Sequence, residues 1–166
     1  MTRLATASLG RRLLALVYES LLVGAVTFVA FLAAAPLDYL LRSWPSLTRI
    51  ATGIIFLGAW WLYFGTTWRK KGQTLPMKVW HIGMQQNNGN HPSPQQLRMR
   101  YLWAVLFLVL IPALAYIGFT RNAVAPLHAF GLSLLWWILP WGFALLHPDR
   151  QFLYDYLAGT RLVRTA

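Results

Sequence analysis

The stretch Arg11-Arg12-Leu13-Leu14-Ala15-Leu16-Val17-Tyr18-Glu19 runs through Ser20 into Leu21-Leu22-Val23-Gly24-Ala25-Val26-Thr27-Phe28-Val29-Ala30-Phe31-Leu32-Ala33. Two arginines stand at its mouth, and the apolar run then reaches Ala35 with one charge inside it, Glu19. A carboxylate within a lipid-embedded helix is costly unless something neutralises it, and it marks a functional position by default.

The bulk composition agrees with a membrane setting. Of 166 residues, 57% are hydrophobic and 11% charged, against about 25% charged in soluble domains. A soluble chain of this length cannot hide so much apolar surface. The net charge of +11 is the kind of excess that nucleic-acid-binding domains carry. In a membrane chain it reports lysine and arginine held on the cytoplasmic side, so no nucleic-acid partner is expected. The absence of cysteine removes disulfides, zinc-thiolate sites and thiol chemistry.

Four apolar runs, 13–35, 50–68, 101–120 and 128–147, each approach the ~20 residues a helix needs to cross the hydrocarbon. The expected fold is therefore all-α, a four-helix transmembrane bundle forming a single domain over residues 10–164. The first run has the outline of a signal peptide, but it exceeds the about 7–15 apolar residues of a cleaved core and Glu19 breaks it, so it reads as a retained span. Pro112 and Pro140 fall inside the third and fourth runs, where they predict kinks.

The basic residues predict orientation. With the N-terminus inside, twelve of the fifteen lysines and arginines, Arg3 among them, fall on the inner side. The positive-inside rule then places both termini and the loop 69–100 in the cytoplasm. Asp38 and Trp44 fall in a short outer loop that Pro36 and Pro45 are expected to keep non-helical. Arg69, Lys70 and Lys71 are expected to attract anionic lipid headgroups.

Within the loop, residues 77–84 are rich in β-formers and predict a strand or short hairpin, followed by a polar tip with an Asn88-Gly89 turn. After the fourth run, Asp149 is expected to cap an amphipathic helix through Leu157 that Gly159 stops. Phe152, Tyr156 and Leu157 would rest on the membrane surface.

Arg12 and Glu19 lie seven residues apart, on one helical face and ~10 Å apart along the axis. Side chains lean toward the helix N-terminus, so Glu19 leans toward Arg12 while Arg12 leans away. A direct pair is strained, and a partner from another segment is expected: Arg161, Lys78 or His147. Either the partner locks the first span to the C-terminal segment, or Glu19 binds and releases a proton or cation. The four histidines show no zinc spacing, and no phosphate-loop, dinucleotide or serine-nucleophile motif occurs. An enzyme would have to use polar residues such as Asp155, Tyr154 and His81, and no spacing among them selects a reaction. A non-catalytic protein without metal or cofactor is expected.

Three pieces, in order, resemble the RDD family of bacterial membrane proteins, named for an arginine and two aspartates. They are Arg12 with Glu19, then Gly72-Gln73-Thr74-Leu75-Pro76-Met77-Lys78, then Asp155-Tyr156-Leu157-Ala158-Gly159-Thr160-Arg161-Leu162-Val163. The resemblance implies that Arg12 stands for the family arginine, Glu19 for the first aspartate and Asp155 for the second. The chain departs from the family pattern in three places. Glu19 replaces an aspartate, Pro76 stands where glycine is frequent, and Tyr154 stands where a histidine commonly precedes the second aspartate. Some members are proposed to be transporters, including sodium/proton antiporters. The resemblance thus implies either an accessory or assembly module built round an Arg/Glu/Asp charge cluster, or a small cation/proton transporter coupled through Glu19. Four such spans make a thin bundle, so a homo-oligomer is expected, with Gly24, Gly53, Gly58 and Gly65 allowing close helix contact.

Overall fold

The computed structural model describes residues 4–165, the side chain of Asp38 excepted. Arg3, used above for orientation, and the Asp38 side chain lie outside the described residues. Four helical rods are long and apolar enough to cross a membrane. The first two are α1, Leu9–Leu40, and α2, Pro45–Lys71. The third, Pro94–Arg121, joins α4 (Pro94–Val105) to α5 (Ile111–Arg121) through one π-helical turn, Leu106–Leu110. The fourth, Pro126–Leu146, joins α6 (Pro126–Leu134) to α7 (Ile138–Leu146) through a 3-10 turn, Leu135–Trp137. The first three rods extend beyond their apolar runs at both ends, whereas the fourth starts two residues before its run and stops at Leu146, with His147 already extended. The chain is thus a polytopic helical membrane protein. Large apolar side chains such as Phe28, Leu114 and Leu145 face outward along the rods, as they do where lipid is the solvent.

Both internal proline breaks have a visible cause. Pro112 has no N–H for the carbonyl of Leu108, one helical turn earlier. That carbonyl accepts instead from Trp137 Nε1 of the fourth rod, at 3.0 Å, and the π-helical turn sits at this point. Pro140 likewise follows the 3-10 turn of the fourth rod. At the other end of the molecule the expectation for Pro36 fails. It lies inside α1, which continues to Leu40, and the turn is confined to residues 41–44. Pro45 opens α2, where a missing N–H is harmless. Thr48 Oγ1 donates to the carbonyls of Leu41 and Trp44 and closes this turn.

The segment between the second and third rods also differs from expectation. Residues Leu75–Val79 form a one-turn helix, α3, because Thr74 caps it, accepting from the Met77 N–H at 3.4 Å, and Pro76 lies in its first turn. The strand β1 comes later, Ile82–Gln86, and it is not a local hairpin. It pairs antiparallel with β2, Thr160–Arg164, at the end of the chain, with Met84 opposite Leu162. The N-terminal segment adds a third layer of pairing. Ala7 N donates to Leu162 O, and Arg164 N donates to Ala5 O.

The expected C-terminal amphipathic helix shrinks to α8, Leu153–Leu157, and Asp149 does not cap it. Phe152, expected on the membrane surface, is 1% exposed, whereas Tyr156 and Leu157 are exposed. Gly159 does end the helix, at φ +66°, the left-handed conformation that glycine adopts without strain. The best-packed core gathers here, where Trp68, Met77, Met84, Leu97, Phe152, Tyr154 and Leu162 meet. Within one chain, Gly24, Gly53 and Gly58 have open space beside them, and Gly65 faces Trp61 of its own helix. None of the four brings two helices of this chain together.

Candidate functional site

The N-terminus of α1, the start of the third rod and the α8–β2 segment converge at one end of the bundle. Arg12 is carried there by the first turn of α1 and is 1% exposed. Its guanidinium donates to the carbonyl of Arg150 and, at 3.2 Å, to that of Leu162. It therefore binds backbone on both sides of α8. Its Nε has no partner, and the carboxylate acting on it most strongly is Asp155.

Asp155 is fully buried on α8. One carboxylate oxygen, Oδ1, accepts from Arg100 Nε in an ion pair; the other, Oδ2, has no partner. Arg100 comes from α4 and is almost as buried. Its guanidinium lies over the Trp68 ring at 4.4 Å and the Tyr154 ring at 5.6 Å. The two aromatic faces hold the planar cation while the carboxylate engages its edge. The pair is positioned from below by the start of α4. Ser93 and Gln96 form a reciprocal cap with Pro94 in the first turn, and Gln96 Nε2 donates to the carbonyl of Gly159. Thr160 Oγ1 donates to the Asp155 carbonyl at 3.2 Å and fixes the exit of α8. Burial, helped by the Asp155 charge, pushes the Tyr154 hydroxyl well above the ordinary tyrosine range.

Glu19 stands deeper along α1, about 15 Å of helix from Leu9. Its carboxylate accepts from Tyr63 Oη of α2 at 2.6 Å and from Thr74 Oγ1 at the cap of α3 at 2.5 Å. Thr74 is buried. The cation whose field reaches Glu19 is Arg100. None of the three expected partners is bonded to it. Lys78 is exposed beside a surface hollow. His147 stacks with Phe143 and Tyr156 and accepts from the Asp149 N–H. Arg161 is half-buried with an unpartnered Nε, and its charge acts on Arg12. The physical reason is reach: the hydroxyls of α2 and the α3 cap lie directly against the face of α1 that carries Glu19.

Arg12, Glu19 and Asp155 thus share one end of the bundle, but they do not form a single bonded triad. Arg100 links them, paired with Asp155 and within electrostatic range of Glu19. In the sequence Arg100 is one of the basic residues of the 69–100 loop that set orientation. Its signal was its place at the mouth of an apolar run, the same place Arg12 holds in the first. Two guanidiniums and two carboxylates leave the cluster close to neutral, which is the condition for burying it.

No curated protein and no solved structure matches the chain. The RDD family profile matches residues 6–159. That match spans the first rod with Arg12 and Glu19, the Gly72–Lys78 segment, and Asp155 with its glycine stop, so the chain belongs to the RDD family.

Proposed function

We propose that this protein is a non-catalytic accessory or assembly module of the bacterial inner membrane, with both termini and the 69–100 loop in the cytoplasm. The observation that carries this reading is how the buried charges are used. Arg12 binds the carbonyls of Arg150 and Leu162, and Arg100 binds Asp155. Each contact ties a rod to the C-terminal segment, so the charges act as a clasp. Arg69, Lys70 and Lys71 close α2 and hold that end at anionic headgroups. Assembly as a homo-oligomer would place the open faces of Gly24, Gly53 and Gly58 against a second copy. Nucleic acid, metal and cofactor have no part in this function.

A second reading, cation/proton transport coupled through Glu19, is favoured by one feature. Glu19 is held by two hydroxyl donors and no bonded cation, an arrangement in which a carboxylate can exchange a proton or a small cation. Flux in proteoliposomes under imposed sodium and pH gradients separates the two. The accessory reading expects no flux above empty vesicles. Flux that Glu19→Gln abolishes, with insertion and abundance unchanged, would overturn it in favour of transport.

A further inference from the structure

We infer that the hollow beside the β1–β2 sheet is a binding site for a phosphate-bearing anion, held chiefly by Lys71 and Lys78. The hollow measures about 610 Å³, and Lys71, Gln73, Lys78, His81, Gln85 and His91 are among its lining residues. That volume falls within the range of small-ligand sites, roughly 300–1,000 Å³. It opens at the end of α2, since Lys71 is the last residue of that helix.

The electrostatics are one-sided. Two lysines and two histidines converge, and among the described residues no carboxylate lines the wall. Among the described residues, the one salt bridge of the chain is Arg100–Asp155, so neither lysine has an acidic partner within 4.0 Å. Like charges gathered without a counter-ion repel one another, and such an arrangement suits an anionic ligand. Lysine ammonium groups and amide side chains are the donors that phosphate oxygens take.

The wall is also shaped by backbone that is unusual for its residues. His81 sits at φ +52°, a conformation that costs a β-carbon-bearing residue strain. It is pinned there, its N–H donating to Lys78 O at 3.1 Å and its carbonyl accepting from Thr165 N at 2.9 Å. His81 and Lys78 both line the hollow. Gly83 lets the wall pack closely, since a β-carbon there would come within 2.8 Å of the Thr165 methyl. Gln73 is fixed by its bond to the Ile82 carbonyl at 2.8 Å. This pocket shares no lining residue with the Arg12–Glu19–Asp155–Arg100 cluster, and its occupation does not depend on whether the module transports ions.

A phosphate group can arrive here on a lipid head or on a soluble ester. The test uses the full chain in nanodiscs of phosphatidylcholine alone, and in the same discs doped with phosphatidic acid. Native mass spectrometry reads retained lipid, and glycerol 3-phosphate is titrated as a soluble competitor. The proposal expects one phosphatidic acid retained per chain, or saturable binding of glycerol 3-phosphate. Competition of the ester with the lipid identifies one phosphate site open to both sources, and retention of lipid alone identifies a headgroup site. Lys71→Gln with Lys78→Gln should weaken binding at least about tenfold, as expected when charge-assisted contacts are lost. The control, Arg11→Gln with Arg98→Gln, removes the same charge from residues that neither line the hollow nor belong to the basic end of α2, and should leave binding within about twofold. An equal loss in both pairs would overturn the proposal by assigning the affinity to diffuse surface charge. Failure of both probes to bind the wild-type chain would also overturn it.

Discussion

Asp155→Asn is the most informative single change, because it leaves shape nearly intact while removing the buried negative charge. Asp155 is fully buried and the Arg100 side chain is 8% exposed, so the pair belongs to the interior class. Removing one partner of such a pair costs about 3–5 kcal/mol. Arg100 keeps the Trp68 face at 4.4 Å with or without the carboxylate, so that contact cancels in the difference, and a loss of about 3–5 kcal/mol is expected. Arg100→Gln should cost about 1 kcal/mol less, because Asp155 would still face Arg12. The double change Arg100→Met with Asp155→Leu should return stability to within about 1 kcal/mol of wild type, as replacement of whole buried ion pairs often does. The assay is reversible unfolding in mixed micelles, with wild type, Asp155→Asn, Arg100→Gln and the Arg100→Gln/Asp155→Asn double variant as the four corners of the cycle, and the Met/Leu pair beside them, all measured at one pH. An Asp155→Asn loss below about 1 kcal/mol, the range of exposed pairs, or strict additivity in the cycle, would refute the reasoning.

Trp137→Phe strands the Leu108 carbonyl and should cost about 0.6–1.7 kcal/mol, the range for hydrogen bonds between membrane helices. Adding Pro112→Ala restores a local N–H to that carbonyl and should reduce the penalty; an undiminished loss in the double variant would count against the assignment. Gly72→Ala places a β-carbon at φ +62° and should lower stability by about 1–2 kcal/mol, read in the same unfolding assay. Tyr154 is protonated in the fold and its hydroxyl titrates above the unfolded value of about 10. Its burial therefore contributes stability in full below pH ~10, and that contribution declines as pH rises past ~10 toward the folded value. The stability difference between Tyr154→Phe and wild type should be flat at neutral pH and move in favour of the variant above pH ~10. A difference that stays flat through strongly alkaline pH would contradict this.

The rods were legible because apolar length is a local property of the chain. Three of the four runs lie wholly within a rod of the structure, and the fourth overruns its rod by one residue, His147. Glu19 was legible as a rare charge inside an apolar run, Arg12 from its place at the mouth of that run, and Asp155 through the family resemblance, while their partners were not. Arg100 pairs with a residue 55 positions away, and nothing beside it in sequence distinguishes it from a topology arginine. The β1 strand was read a few residues early because the β-formers of 77–84 overlap α3. The signal for α3 was present in Thr74 followed by Pro76, a cap and a first-turn proline. β2 was missed because a five-residue strand cannot stand alone, and its partner lies on the far side of two membrane-capable rods.

The order of dependence runs opposite to the order of the chain. α8 has five residues, far below the length at which a helix holds itself together in isolation. Its place is set by the burial of Phe152, Tyr154 and Asp155, by the Gln96 bond to Gly159, and by the Arg12 bonds on either side of it. Arg12 and Arg100 in turn have Asp155 as the nearer of the two carboxylates that balance them, since Glu19 is engaged by Tyr63 and Thr74 deeper in the bundle. Two guanidiniums on separate rods therefore depend on a carboxylate delivered by the last fifteen or so residues of the chain, and the short helix that delivers it depends on them. Such mutual dependence makes this end of the bundle form as one cooperative unit. The rods can insert by their apolar length, but their registry against one another at this end is decided when Asp155 arrives.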